Sequence, residues 1–365
     1  MLLRAFLVWL CCIFAVGCDR AFAAVPTTTV FYVTDQRFNG NSYDEERFTF
    51  YVGNCANEDD VRSDDCALQY GYVQWDEHGT ERYYPVKRKI FYSMLGQPQH
   101  ALLFIHGFNE DLRRAVEEAR YIAGRIDVKT GVRSSVPVIV YGWPARAATF
   151  SRIAFEAEYP NDETNNGWSK LHLRAFYRYF VNAESTTSLT VAAHSLGNAL
   201  AVDMLLFARE TGNSNVSHLI SIEPDVDTQT YAESIDLLRR GTLQDVTVYG
   251  NQLDTALYLS QHLHAHCRAG QIYCEPLYVG QYSGNPMPGW LNVIDAQGVA
   301  NACDPGFGHS YYIKSDIVLN DITDLATGKA PIMTKDKPRE HFKYTDESGK
   351  TRPVPHFWID VRGCE

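Results

Sequence analysis

The sequence predicts an α/β protein: a mostly parallel central sheet with helices on both faces and an antiparallel edge supplied by the N-terminal residues. Three observations predict it. From Ala101 onward, short apolar β-branched segments alternate with helical stretches, the pattern of parallel strands joined by covering helices. The segment Leu189-Thr190-Val191-Ala192-Ala193-His194-Ser195-Leu196-Gly197 reads as a buried strand running into a helix through a turn too tight for most residues. Before residue 90 the chain has aromatic and β-branched runs broken by turn residues, which suits antiparallel strands.

The N-terminal edge is expected from Thr29–Thr34, Arg47–Val52, Leu68–Val73 and Tyr83–Val86. The acidic loop Asn57-Glu58-Asp59-Asp60 with Asp64-Asp65 lacks the alternating ligand order and central Gly of a calcium loop, and reads as a solvated loop. The buried parallel strands are expected over Ala101–Ile105, Val136–Tyr141, Leu189–Ala193, Val216–Glu223, Asp245–Tyr249 and Trp290–Ile294. Helices are expected over Glu110–Ile126, Leu171–Val181, Gly197–Arg209, Thr228–Arg240 and Ser310–Leu325.

Two insertions exceed the usual loop length. Pro144–Gly167 is aromatic, charged and Asn-rich, and leaves the sheet on the side where parallel-sheet enzymes bind ligands, so it is expected in a substrate wall. Gly280–Gly289 is Gly- and Pro-rich and reads as irregular. These elements place one domain over residues 28–328. Residues 329–365 form a polar tail in which His341–Tyr344 and His356–Val361 flank a turn as a hairpin.

The 365 residues, 45% of them apolar, suffice for one large core. Against 33 Lys and Arg stand 44 Asp and Glu, a net charge of −11. That balance argues against nucleic acid or an anionic membrane as the main partner, because both select a basic face. Met1-Leu2-Leu3-Arg4 and the apolar run from Ala5 to Gly17 form a basic start and a hydrophobic stretch too short to span a membrane comfortably, so residues 1–23 are expected to be an export signal. Two processing sites compete. Ala21-Phe22-Ala23 suits ordinary signal peptidase, whereas Phe14-Ala15-Val16-Gly17-Cys18 resembles a bacterial lipobox that would leave Cys18 acylated and attached to a membrane. Either places the chain in the bacterial periplasm or envelope.

Six cysteines follow the signal: Cys55, Cys66, Cys267, Cys274, Cys303 and Cys364. An even number in an exported chain points to disulfides, and nearest-neighbour pairing gives Cys55–Cys66, Cys267–Cys274 and Cys303–Cys364. Their spacing suits neither a zinc ribbon nor a redox C-x-x-C motif.

The chemistry centres on Ala193-His194-Ser195-Leu196-Gly197, a G-x-S-x-G turn with Ala in the first position. A serine hydroxyl needs a base to take its proton and a carboxylate to orient that base. In chain order the acid is expected between serine and histidine. Asp254 follows the strand Asp245–Tyr249 within a short loop and starts a helix, and is the first candidate; Asp225 and Asp227, at the end of the preceding strand, are the alternatives. His309, in Gly306-Phe307-Gly308-His309-Ser310, is the candidate base. The oxyanion hole is expected from the backbone N–H groups of Leu196 and Phe108, the latter in the loop Ile105-His106-Gly107-Phe108-Asn109, where His106 would brace the turn. His262, His264 and His266 alternate on a helical segment and would not share a face, so no metal site is expected there. His194 reads as a spacer of the elbow.

These pieces resemble the α/β-hydrolase superfamily, and more narrowly a bacterial family of exported esterase/lipase-like proteins of unknown function. The narrower likeness rests on Val30–Asp35, Phe104–Asn109, Tyr141–Pro144, Ala193–Gly197, Val246–Tyr249 leading to Asp254–Leu257, and Gly308–Tyr312. The resemblance implies Ser195 as nucleophile, Asp254 as acid and His309 as base. The chain departs from it at Glu223, where a small apolar residue is expected, and over Phe150–Trp168.

The expected function is therefore a serine hydrolase acting on a carboxylic ester or acyl lipid, with no cofactor or metal. A non-catalytic envelope binding protein on the same fold and an envelope acyltransferase are the competing readings. A fold alone does not decide among them.

Overall fold

The computed structural model describes residues 28–36, 68–133, 135–145, 152–212, 215–239, 243–272, 274, 291–329, 340–345 and 351–358. The expected strand Arg47–Val52, the acidic loop, the Cys55–Cys66 pair, Cys18 with the signal, and Gly280–Gly289 lie outside these residues.

Among the described residues, eleven strands form one sheet: β1 Thr29–Thr34, β2 Gln69–Trp75, β3 Glu81–Val86, β4 His100–Ile105, β5 Val138–Gly142, β6 Ser188–His194, β7 Val216–Ile222, β8 Asp245–Gly250, β9 Leu291–Asp295, β10 Glu340–Thr345 and β11 Thr351–Trp358, in the order β10-β11-β9-β8-β7-β6-β4-β5-β1-β2-β3. Every pairing from β1 through β5, β4, β6, β7, β8 and β9 is parallel, and β2 and β3 add antiparallel beyond β1. The C-terminal hairpin extends this sheet: β10 and β11 are antiparallel, and β11 pairs in parallel with β9 through Phe357 and Trp358.

The central strands are apolar on both sides because helices cover both faces. Along β4, Leu103 and Ile105 enter one core while Leu102 and Phe104 enter the other. The helices are α1 Arg88–Leu95, α2 Leu112–Thr130, α3 Arg152–Ala183, α4 Gly197–Glu210, α5 Thr228–Arg239, α6 Thr255–His264, α7 Gln297–Cys303 and α8 Asp316–Ala326. Among the described residues, none is long and apolar enough to cross a membrane.

Three elements differ from expectation. The insertion after Pro144 is not a loop from residue 152 on: α3 runs unbroken through Pro160, and the expected helix Leu171–Val181 is its C-terminal part. Its buried stripe passes through Phe155, Tyr159, Asp162, Asn166, Ser169, Leu173, Phe176 and Phe180, a helical spacing whose middle is polar. Hydrophobic periodicity therefore fails where helical periodicity continues. The expected helix Ser310–Leu325 is split into a 3-10 turn, Tyr311–Ile313, and α8, because the adjacent Tyr311 and Tyr312 are both fully buried. The short α1 and α7, one or two turns each, carry too little pattern to have been expected.

Candidate active site

Ser195 sits between β6 and α4 with φ of 51°, a left-handed conformation that strains any residue with a side chain. Hydrogen bonds hold it there. Its N–H donates to Ile222 O at 2.9 Å, and its carbonyl accepts from Asn198 N and Asp225 N, each at 3.1 Å. The turn is tight enough to explain both nearby glycines. A Cβ on Gly197 would stand 2.4 Å from His106 O, and one on Gly107 would stand 2.7 Å from Ser195 Cβ. The helix start and the β4 loop thus press against the serine from two sides.

Among the described residues, neither the Leu196 nor the Phe108 amide donates a hydrogen bond, so both N–H groups are free. The loop bearing Phe108 is braced as expected by His106. Its Nε2 accepts from Trp143 N at 3.1 Å, Nδ1 donates to Gly107 O at 3.0 Å, and the ring stacks on Trp143. Burial pushes this imidazole below its ordinary pKa, more than nearby carboxylates raise it, which keeps it neutral and consistent with one donor and one acceptor nitrogen.

Asp254 is the N-cap of α6, and its two oxygens do different work. Oδ1 accepts from Leu257 N at 2.9 Å, while Oδ2 lies 2.5 Å from His309 Nδ1. His309 itself is carried by a turn in which Gly306 and Gly308 have φ of 87° and 69°. Asp304 Oδ2 accepts from the His309 and Ser310 amides at 2.9 and 3.0 Å, and Asn251 Nδ2 donates to Gly308 O at 2.9 Å. Burial pushes the His309 imidazole down, but the Asp254 carboxylate outweighs it, with Asp225 and Glu110 adding, so the net pKa is raised.

The alternative acids lie elsewhere. Asp227 caps α5, accepting from Thr230 N at 2.8 Å. Asp225 is buried behind the elbow and accepts from Tyr159 Oη at 2.7 Å, Ser260 Oγ at 2.7 Å and Arg268 Nε at 2.5 Å. Burial pushes its carboxyl up; the Arg268 charge and these donors more than reverse that and leave it low. Arg268 follows Cys267, which is joined by a disulfide to Cys274 with the Cα atoms 5.7 Å apart. Cys303 is also disulfide-bonded, and its expected partner Cys364 lies outside the described residues.

The insertion packs against the elbow and the loop after β4. Asn166 Nδ2 donates to Leu196 O at 3.2 Å, and Phe155 and Tyr159 pack on Phe108 with ring centroids 5.1 Å apart. Ser195 is only 3% exposed.

His262 and His264 each donate Nδ1 to the carbonyl one helical turn back, Tyr258 O and Ser260 O at 2.8 Å, and His264 Nε2 lies 3.1 Å from Glu163 Oε1. Sequence reasoning missed a different cluster. Glu110, Glu118 and His194 bring a carboxylate or ring atom each within 4.8 Å of one another, all buried, so His194 is more than a spacer. Only the position of Glu110, just past the Gly107–Phe108 turn, hinted at it. Glu223 was expected to be small and apolar; its buried carboxyl instead accepts from Asn251 N at 3.0 Å. Burial, then the nearby Asp254 charge, raises it well above the carboxylate range.

A family model described as an alpha/beta hydrolase of unknown function, DUF900, matches residues 88–326. No curated protein matches the chain. Among solved structures the chain is similar to a Pyrobaculum calidifontis esterase at 15% identity, covering 54% of this chain and 67% of that one with a TM-score of 0.27. It is also similar to Aspergillus fumigatus lipase B, at 13% identity over 65% of this chain and 54% of that one with a TM-score of 0.35. A third is EstE1, a thermostable carboxylesterase from a metagenomic library, at 13% identity over 55% and 72% with a TM-score of 0.29.

Proposed function

Since the chain belongs to this family of α/β hydrolases of unknown function, we propose that it is a serine hydrolase with Ser195 as nucleophile, His309 as base, Asp254 as the acid that orients it, and the Leu196 and Phe108 amides as the oxyanion hole. The observation that carries the proposal is the 2.5 Å contact between Asp254 Oδ2 and His309 Nδ1, in the same site as a serine held in a left-handed turn.

In the reaction, Ser195 Oγ attacks an ester carbonyl while His309 Nε2 takes its proton. The carbonyl oxygen, now negative, meets the two free amides. Collapse of the tetrahedral intermediate breaks the ester C–O bond as His309 gives its proton to the departing alcohol oxygen. Water then attacks the acyl-serine with His309 again as base, releasing the acid. Asp254 holds Nδ1–H, so that Nε2 is the nitrogen available to the serine. No cofactor is required. The substrate class is a carboxylic ester or acyl lipid, and the rings of Phe108, Phe155 and Tyr159 beside the oxyanion loop support an apolar acyl group. Export, with either a free N-terminus after residue 23 or an acylated Cys18, belongs to the same proposal and rests on the sequence of residues 1–23.

The test is labelling of the purified protein with a fluorophosphonate, beside Ser195→Ala, followed by short- and long-chain acyl esters with water and alcohol acceptors competing. Labelling abolished in Ser195→Ala supports an activated serine, and the acceptor that wins distinguishes hydrolysis from acyl transfer. Absence of labelling in folded protein would overturn the proposal in favour of a binding protein.

A further inference from the structure

Behind Ser195 lies a set of titratable side chains that the reaction above does not use. Glu110 Oε2 accepts the Gly107 N–H at 3.1 Å and stands 3.8 Å from His194 Nδ1, an ion-pair separation rather than a hydrogen bond. On the other side of the same ring, His194 Nε2 is 3.1 Å from the main-chain oxygen of His309. A carbonyl oxygen only accepts, so Nε2 carries hydrogen and the Nδ1 edge is turned to Glu110. Nδ1 has no hydrogen-bond partner, and Tyr312 packs on the ring with centroids 4.8 Å apart.

One of the two carboxyls keeps its proton. Tyr312 Oη donates to Glu118 Oε2, and Glu118 in turn bonds Glu110. Burial and then the charge of Glu110 raise Glu118 well above the carboxylate range, so Glu118 keeps its proton. Burial also opposes ionisation of Glu110, but the neighbouring His194 and the Glu118 hydrogen bond outweigh it and hold the Glu110 carboxyl low. Glu110 Oε2 and Glu118 Oε2 are each already engaged by a protein donor, the Gly107 N–H and the Tyr312 hydroxyl.

We propose that Glu110 and His194 are positioning residues, a second carboxylate–imidazole couple that hangs both the oxyanion loop and the base from the end of β6 and sets a fixed negative charge behind the base. The inference rests on the serine-hydrolase reading. Gly107 N–H is one peptide before the amide of Phe108, so its bond to Glu110 sets the direction in which the Phe108 N–H points. His194 immediately precedes the nucleophile and holds the backbone of His309 through Nε2, which ties the relative place of nucleophile and base to the end of β6. The charges around His309 are Asp254 from α6, Asp225 from the loop after β7, Glu110 from the loop before α2, and Asp304, which takes its amide; His194 is its aromatic neighbour with centroids 4.6 Å apart.

The experiment is the pH dependence of fluorophosphonate labelling, which reads the base without a known substrate. Glu110→Gln keeps an oxygen to accept Gly107 N–H but removes the charge. With less negative charge to stabilise its imidazolium, His309 stays neutral to lower pH, and the acid limb of labelling should move down by about 0.5 pH unit. Glu118→Gln exchanges one neutral group for another and should leave the limb in place. Glu110→Asp keeps the charge but draws the carboxylate back from Gly107, so the limb should stay while the plateau rate falls about tenfold. Should Glu110→Gln not fold, the plateau of Glu110→Asp carries the test. Wild-type labelling with both limb and plateau unchanged in the Glu110 variants overturns the inference. Wild-type protein that does not label at all overturns the underlying reading instead.

Discussion

Gly197 lies so close to His106 that a Cβ would approach its carbonyl oxygen to 2.4 Å, and that buried oxygen already accepts from Trp143 Nε1 at 2.8 Å. Neither partner can yield without moving the other's element. Gly197→Ala should therefore destabilise the protein by about 1–3 kcal/mol, read as a lower urea midpoint, and should slow fluorophosphonate labelling because the loop displaced is the one that carries Phe108. An unchanged midpoint would mean that the elbow and the β4 loop are less tightly packed than described.

Asp254 separates a structural role from a chemical one. Asp254→Asn can still cap α6 through Oδ1 but offers an N–H₂ where His309 Nδ1 needs an acceptor. Labelling should fall by about 10⁴ with little change in melting temperature. Asp254→Ala should lose the same activity and about 1 kcal/mol of stability besides.

The pH profile has a definite sign. The base works when neutral, and the charge of Asp254 lifts the His309 imidazole above its ordinary value in spite of burial. The labelling rate should accordingly rise with pH through a midpoint higher than an unperturbed imidazole would show. A midpoint at or below the ordinary value would contradict the geometry around Nδ1. The same raised pKa makes the His309 contribution to stability complete at low pH and lost as pH rises through that midpoint.

Arg268 is the cation that Asp225 depends on. Arg268→Met strands a buried carboxylate among Tyr159 and Ser260 and should cost about 3–5 kcal/mol, while Asp225→Asn with Arg268→Met should recover much of it. Chemical unfolding of the wild type and the two variants measures this directly. Because Asp225 is held low, its contribution is complete above the usual carboxylate range and fades as pH falls towards its lowered value, so the double variant should lose less stability on acidification than the wild type.

Mass spectrometry of the secreted or membrane fraction separates the two signals. A free N-terminus after Ala23 marks ordinary processing; a diacylglyceryl mass on Cys18 marks a lipoprotein. An unprocessed Met1 N-terminus would remove export from the proposed function.

Local chemistry explains what could be read from the sequence. The alternation after Ala101 displays the parallel sheet because buried strands must be apolar on both faces, and the elbow is visible because only small residues fit Gly197 and Gly107. Asp254 and His309 follow from chain order and from turn residues such as Gly308. What stayed hidden is what long-range contact creates. The N-terminal half of α3 looks like a loop because Asp162, Asn166 and Ser169 occupy its buried face. Glu110, Glu118, Glu223 and Arg268 are charged residues whose burial no local pattern announces, since each is made tolerable by a partner far along the chain.

The sheet order also sets a timetable. His194 and His309 are 115 positions apart, and His309 comes from the turn beyond β9, which must dock on β8 before the base can meet Asp254. A chain made from its N-terminus presents Ser195 long before His309, the base of the proposed triad. On the proposed reading, the serine therefore stays unactivated until β9 has docked on β8.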